Sequence, residues 1–257
     1  MPALILTGVF SALASAFTFL TGFGLGTILL PVFLVTMGPA LAVAAVAPVH
    51  FFHNAGKLLL LRDHVDRNVL LGFGVPALAA AAIGAWGLAA LANLPGLGSW
   101  SLWGQTFAVC PLKLVVGLSL AVFSLWELRG EGGGIRNVPL WVGGLASGLF
   151  GGLTGHQGAI RSAFFLGKKL PKETFIATGA AVACLVDFTR LAIYAQTFSI
   201  LGEVMPWPVI VAGIVGAAAG LVLGYLGLRR ISAVSFRKLV GAVLFGFGIL
   251  FALGMVS

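Results

Sequence analysis

Residues 151–158 read GGLTGHQG and interrupt an apolar segment that runs from about residue 138 to 167. A second long apolar segment, at about 3–37, is interrupted by GFGLG at residues 22–26. Glycine lets the backbone leave a helix, and inside a bilayer this is tolerated only where protein or water meets the freed backbone groups. These two glycine interruptions therefore decide how the fold is interpreted.

The remaining sequence is typical of an integral membrane protein. Hydrophobic residues make up 60% of the 257 residues and charged residues only 9%, whereas a soluble domain carries about 25% charged residues. Apolar segments long enough to cross a bilayer core of about 30 Å recur along the chain. We mark eight of them, at about 3–37, 40–61, 69–92, 107–128, 138–167, 173–197, 207–228 and 234–256.

Several classes of protein are disfavoured by the sequence. The net charge of +8 comes from basic clusters at the ends of apolar segments, which is how membrane proteins fix their orientation, so we expect no nucleic-acid partner. Cys110 and Cys184 are too few for a thiolate metal site, and we expect no metal or other cofactor. Phosphate-loop, metalloprotease and serine-hydrolase motifs are missing, so we expect that the protein is not an enzyme.

The basic clusters also decide between two interpretations of the interrupted segments, which are either single broken spans or hairpins that enter and leave on the same side. If both are hairpins, all four clusters lie on one side, as the positive-inside rule requires. We therefore expect hairpins in a bacterial inner membrane, with cytoplasmic basic loops and periplasmic termini; a hairpin that crosses fully twice gives the same sidedness. The clusters are Lys57/Arg62/Arg67, Arg129/Arg136, Lys168/Lys169/Lys172 and Arg229/Arg230/Arg237/Lys238.

The hairpins give each half of the chain one hairpin plus three crossing helices. Because three is odd, the second half is inserted upside down relative to the first, an arrangement common in secondary transporters. We therefore predict an all-α polytopic membrane protein of two inverted repeats, residues 1–129 and 138–257, joined by a linker at 130–137.

The glycine interruptions are also the first candidate binding site. Helix ends in mid-membrane present unpaired N–H groups, and a helix N-terminus favours an anion. Small residues also allow close helix packing, and most of the 37 glycines are expected to do only that. A shift of about 132 residues lays one interruption on the other, so we predict that both bind an anion through Gly22, Gly24, Gly26, Gly155 and Gly158.

Three polar residues in or just after the second interruption are further candidates, because polar groups are costly inside a bilayer. Arg161 offers a planar fork of donors that suits an oxyanion, although its side chain could instead reach the cytoplasmic face. His156 could donate to the anion or carry a proton. Gln157 is expected to bind the anion beside them.

The second apolar segment carries four polar residues along one helix face, at spacings of three and four. We expect His53, Asn54 and Lys57 to contact the anion and His50 to take part in proton transfer. Heme or metal binding by the histidines is a rival interpretation.

Asp187 and Arg190 lie three residues apart in the sixth segment, a spacing that permits an ion pair within one helix. A shift of 133 residues lays Lys57 on Arg190, which supports the internal repeat. Arg190 is another candidate anion ligand. Asp187 is the only acidic residue well inside a segment and is therefore the candidate proton relay. A buried structural pair is the alternative.

The chain resembles the TauE/SafE family of sulfite and organosulfonate transporters from about residue 4 to 255. The resemblance implies transport of sulfite, thiosulfate, sulfoacetate or related anions, coupled to the proton gradient. Related proteins often carry a proline after the second interruption, where this chain has Arg161-Ser162-Ala163. The resemblance rests on Thr21-Gly22-Phe23-Gly24-Leu25-Gly26 with Pro31, on residues 147–155 (SGLFGGLTG), and on Gly241 with Gly246.

We therefore predict a secondary transporter for proton-coupled export of a small sulfur-containing oxyanion, which binds between the two interruptions. Its expected partners are the anion, protons and the lipid bilayer, and the sequence is compatible with a homo-oligomer. Two other functions remain as alternatives: a membrane-embedded heme- or metal-binding redox or assembly protein, and a passive anion channel.

Overall fold

The computed structural model describes residues 2–21, 24–128, 134–200, 205–226 and 233–256. These parts of the chain form ten helices and one pair of strands. The helices are α1 (Pro2–Thr21), α2 (Leu25–Leu34), α3 (Pro39–Leu61), α4 (Arg67–Ala92, with a π-helical turn at Leu70–Gly74), α5 (Pro111–Leu128), α6 (Leu140–Thr154), α7 (Gly158–Gly167), α8 (Lys172–Ile200), α9 (Trp207–Leu226) and α10 (Ala233–Ala252).

Several of the helices have the lengths and compositions of membrane-spanning elements. Within the described residues, α4, α8 and α9 are each long and apolar enough to cross a bilayer. Shorter apolar helical stretches of 10–17 residues lie in α1, α2, α5, α6 and α10. Many large apolar side chains on these helices face outward, as lipid-covered surfaces require. The chain is therefore a multi-pass membrane protein.

Both predicted interruptions are present as breaks between helices. The first separates α1 from α2, and the second separates α6 from α7. Gly24 has φ 58° and Gly155 has φ 81°, in the left-handed region where a Cβ atom would be strained. Glycine is thus needed at one position in each break.

The short helix after each break returns along the next long helix. Gly26 at the start of α2 lies beside Val46 and His50 in the middle of α3, so α2 runs antiparallel to α3. Near the end of α7, Phe165 packs edge-on against Phe175 near the start of α8, so these helices are also antiparallel.

The centre of the bundle is the crossing of α3 and α8. His50 on α3 contacts Asp187 on α8, while Lys57 shares a cleft with Gly179 nearer the start of α8. The two helices therefore run in opposite directions. Buried apolar residues from both halves of the chain pack around them.

Glycine controls the contact between α4 and α6. Gly148 and Gly152 on α6 face the backbone carbonyl groups of Ala77 and Ala81 on α4, and a Cβ at either position would overlap them. Lipid gives helices little hydrophobic reason to associate, so close backbone approach supplies the attraction through van der Waals contact.

The contact between α1 and α9 is built in the same way. Gly216 and Gly220 on α9 face the carbonyl groups of Gly8 and Ala12 on α1. The α4–α6 pair and the α1–α9 pair are the two most extensive helix contacts in the bundle. Small residues therefore fix both of its main interfaces.

The expected all-α fold is wrong at one connection. The loop predicted at 93–106 and the start of the segment predicted at 107 instead form an antiparallel pair, β1 (Gly98–Leu102) and β2 (Gln105–Val109). The apolar run of β2 continues into α5, and periodicity alone does not separate a short strand from a helix. The indole N–H of Trp100 donates to the carbonyl of Leu253 at 2.8 Å, which holds the strands against the end of α10.

We predict that Gly148→Ala destabilises the protein by about 1–3 kcal/mol, because the added methyl group overpacks the α4–α6 contact. The matched control is Gly246→Ala on α10, where a Cβ meets open space. Thermal unfolding of both variants in detergent checks this. Equal unfolding midpoints would show that the α4–α6 contact tolerates a side chain.

Candidate functional site

The centre of the site is the ion pair that the sequence predicted on α8. Nε of Arg190 donates to Oδ1 of Asp187 at 3.0 Å, and Nη2 lies 2.8 Å from the same oxygen. Both side chains are fully buried. The second oxygen of Asp187 lies 2.7 Å from Nδ1 of His50, and Nδ1–H donates to it while the carboxylate is ionised.

Arg190 also holds the end of α6. Its Nη1 donates to the carbonyl of Gly151 at 3.3 Å, and the hydroxyl of Tyr194 donates to the carbonyl of Gly152. The carbonyl of Gly151 also accepts from the N–H of Gly155 at 3.1 Å. Carbonyl groups at the C-terminus of a helix carry partial negative charge, so a cation stabilises them. Arg190 is therefore surrounded by protein partners, as the structural alternative for this pair required.

Gln157 connects the ion pair to Arg161. Its Nε2 donates to Oδ1 of Asp187 at 3.0 Å, and its Oε1 accepts from Nη1 of Arg161 at 3.3 Å. The hydroxyl of Ser147 donates to the backbone carbonyl of Gln157 at 2.9 Å. Both ends of the Gln157 amide are therefore occupied by protein groups.

A second polar cluster joins α1 to α3. Nδ1 of His53 lies 2.8 Å from the hydroxyl of Ser15, which donates to the carbonyl of Ala217, and Nε2 lies 3.3 Å from the hydroxyl of Thr18. Nζ of Lys57 donates to the carbonyl of Thr18 at 3.3 Å. Ser15 and Thr18 were not predicted from the sequence. The signal available was that Ser15 lies 132 residues before Ser147.

A small, partly open cleft lies beside these clusters. Two of its polar lining residues are cations, Lys57 and Arg161, and among the described lining residues none is acidic. The cleft lies between the C-terminal part of α3 and the N-terminal part of α8, the end of the bundle that also carries Arg62 and Lys172. It is lined by Asn54, Lys57, Arg161, Phe175, Ile176, Gly179 and Ala180.

The glycines of the two breaks come together, but they do not line this cleft. A Cβ atom placed on Gly26 would lie 3.3 Å from the carbonyl oxygen of Gly155, and one on Gly158 would lie 3.6 Å from the backbone nitrogen of Gly24. The N-termini of α2 and α7 therefore lie against each other. Gly22, the remaining one of the five predicted glycines, lies outside the described residues.

The histidines do not converge on one point. His50 contacts Asp187, and His53 contacts α1. The ring of His156 stacks on Phe123 with a centroid distance of 5.7 Å, and its Nδ1 lies 3.0 Å from the hydroxyl of Thr154. Among the described residues no three His, Cys, Asp or Glu side chains are grouped so that they could hold a metal ion.

The apolar helices define a multi-pass membrane protein, and a cleft between α3 and α8 brings two of its cations together. The family model described as "Sulfite exporter TauE/SafE" matches residues 6–251, and the chain belongs to this family. Membership implies a transporter of sulfite- or sulfonate-type anions and fits the expectation that the protein is not an enzyme. Searches of curated proteins and of solved structures found no match to the chain.

We predict that Asp187→Asn destabilises the protein by about 3–5 kcal/mol, because it leaves the charge of Arg190 buried without its partner. Replacing both residues, as Asp187→Leu with Arg190→Met, removes both charges and is expected to cost less. Thermal unfolding in detergent checks the order of the two variants. A single variant as stable as the wild type would mean that the pair does not support the fold.

Proposed function

We propose that this protein is a secondary transporter for proton-coupled export of a small sulfur-containing oxyanion, such as sulfite, a sulfonate or sulfoacetate. The observation that carries the proposal is the cleft, where Lys57 and Arg161 lie together without an acidic lining residue among those described. Buried charge is costly unless it is paired, so such a cleft favours an occupant that brings negative charge.

We also propose that the two halves, 1–129 and 138–257 with a linker at 130–137, are inverted repeats. The antiparallel crossing of α3 and α8, which hold equivalent positions in the two halves, supports this. So does the contact between α5 and α10: a Cβ on Gly117 would lie 2.6 Å from the carbonyl oxygen of Gly248, and one on Gly248 would lie 2.7 Å from that of Gly117. Reciprocal contacts of this kind are typical of a two-fold axis.

Each repeat then begins with a hairpin. In the first repeat, Thr7 and Val49 both lie beside Gly213, and further along Ser15 contacts His53, so α1 and α3 run in the same direction. Because α2 runs against α3, α1 and α2 run in opposite directions. This supports a chain that enters and returns at the first break.

The positive-inside rule puts the end with Arg62 and Lys172 in the cytoplasm of a bacterium. The cleft then opens toward the cytoplasm, where an exported anion would bind. In this arrangement Lys57 and Arg161 contact the anion, with Asn54 beside them.

The proton is assigned to Asp187 and His50, which share a hydrogen bond of 2.7 Å. Gln157 contacts both Asp187 and Arg161, so it links the proton site to the anion site. An anion that draws Arg161 toward itself would weaken its contact with Gln157 and change the environment of Asp187. This link gives a physical route by which the anion and the proton could be coupled.

Flux of labelled sulfite and sulfonates into proteoliposomes, with and without a proton gradient, tests the function. We expect gradient-sensitive flux of at least one anion, reduced about tenfold or more by Arg161→Gln, because a charged donor to the anion is lost. Lys113→Gln is the matched control, since Lys113 lies on α5 and contacts the carbonyl of Val256 outside the cleft.

The other outcomes of this assay separate the alternatives. Flux that the gradient does not change would indicate a passive channel. If no anion shows gradient-sensitive flux, the transporter proposal is wrong.

We predict that Gln157→Leu uncouples the transporter, because it breaks the link between Arg161 and Asp187. Exchange of anion across the liposome membrane should persist, while the stimulation by a proton gradient should be lost. Ser147→Ala is the control, since it removes a donor to the backbone of Gln157 but leaves the side-chain link intact. Unchanged stimulation in the Gln157 variant would assign the coupling elsewhere.

A further inference from the structure

The two halves contain the same contact between a cation and a helix end. Lys57 on α3 donates to the carbonyl of Thr18 near the end of α1, and Arg190 on α8 donates to the carbonyl of Gly151 near the end of α6, each at 3.3 Å. Both residues of the second contact lie 133 positions after those of the first, since 190 − 57 and 151 − 18 are each 133. The two contacts are therefore equivalent.

The two halves differ in the residue that accompanies each cation. Arg190 is paired with Asp187 three positions earlier on α8. The position three residues before Lys57 holds Asn54, which is also 133 positions before Asp187. A neutral amide thus stands in the first half where the second half has a carboxylate.

This difference leaves Lys57 without an acidic neighbour on its helix, and Arg161 is a second cation of the cleft that has no ion-pair partner among the described residues. Lys57 contacts a neutral carbonyl, and Arg161 contacts the neutral amide of Gln157. Within the described chain, neither Lys57 nor Arg161 forms an ion pair. The charge of Asp187 reaches Arg161, but Asp187 is already held by Arg190 and His50. Asn54, Lys57 and Arg161 all line the same cleft.

We propose that Asn54 determines the charge selectivity of the cleft: by leaving Lys57 without an acidic partner, it makes the site selective for divalent over monovalent oxyanions. The inference rests on the proposed anion transport and specifies its substrate class. Lys57 and Arg161 together carry two positive charges, and a divalent anion cancels both, whereas a monovalent anion leaves one uncancelled in a poorly hydrated site. A carboxylate at position 54 would instead neutralise Lys57, as Asp187 neutralises Arg190.

Binding to the purified full-length protein in detergent tests the inference. The probes are thiosulfate and sulfate, which are divalent, and methanesulfonate, which is monovalent and similar in size, all at constant ionic strength. We expect the wild type to bind at least one divalent probe about tenfold or more tightly than methanesulfonate. Asn54→Asp should lose that preference, whereas the neutral control Asn54→Leu should keep it.

A second variant keeps the inference testable if Asn54→Asp does not fold. Lys57→Gln removes one of the two charges, so it should weaken binding of the divalent probes more than binding of methanesulfonate. Equal binding of all three probes by the wild type, or a preference for methanesulfonate, would overturn the inference even if the protein transports anions. An unchanged preference in Asn54→Asp or in Lys57→Gln would overturn it as well.

These outcomes differ from a failure of the proposed function itself. If proteoliposomes show no gradient-sensitive flux of any anion, the transporter proposal fails regardless of binding. If flux is present but the preference for divalent probes is missing, the inference about Asn54 and divalent selectivity fails while the transporter proposal stands.

Discussion

The buried contact between Asp187 and Arg190 sets the geometry of the site, because neither charge could be left alone inside a membrane. Arg190 extends from this contact to the end of α6, and the other oxygen of Asp187 reaches His50 on α3. Gln157 adds the second helix break to the same group. One ion pair therefore fixes α3, α6, α8 and the break relative to one another, and the cleft forms beside them.

In the proposed inverted repeat, the two halves share one backbone plan but carry different charges. In the second half, Arg190 contacts the end of α6 and is neutralised by Asp187 on its own helix, α8. In the first half, the equivalent cation, Lys57, contacts a carbonyl group, its partner among the described residues, and lines the cleft with Arg161. The N-termini of α2 and α7, which carry partial positive charge, meet nearby and add to this field. Arg190 of the second half therefore supports the fold, whereas we propose that Lys57, together with Arg161, is available to a ligand.

Glycine has two different roles in this chain. At Gly24 and Gly155 it permits the backbone conformation of a helix break. At Gly148 and Gly216 it permits the backbone of one helix to approach another, which replaces the hydrophobic driving force that lipid removes. Sequence alone separates these roles where glycines cluster, as at residues 22–26, or where polar neighbours such as His156 and Gln157 mark a break.

The sequence by itself determined the membrane class, predicted both helix breaks and permitted the Asp187–Arg190 pair, because composition, glycine clusters and helical spacing are local properties. It did not separate the strand of residues 105–109 from the apolar run that follows it. Only the tertiary structure decided which polar groups meet. It brought Lys57 and Arg161, which are far apart in the sequence, into one cleft, and it enclosed Arg190 behind Asp187. Long-range packing makes these choices, since the spacing of residues along one helix does not specify which helix lies opposite.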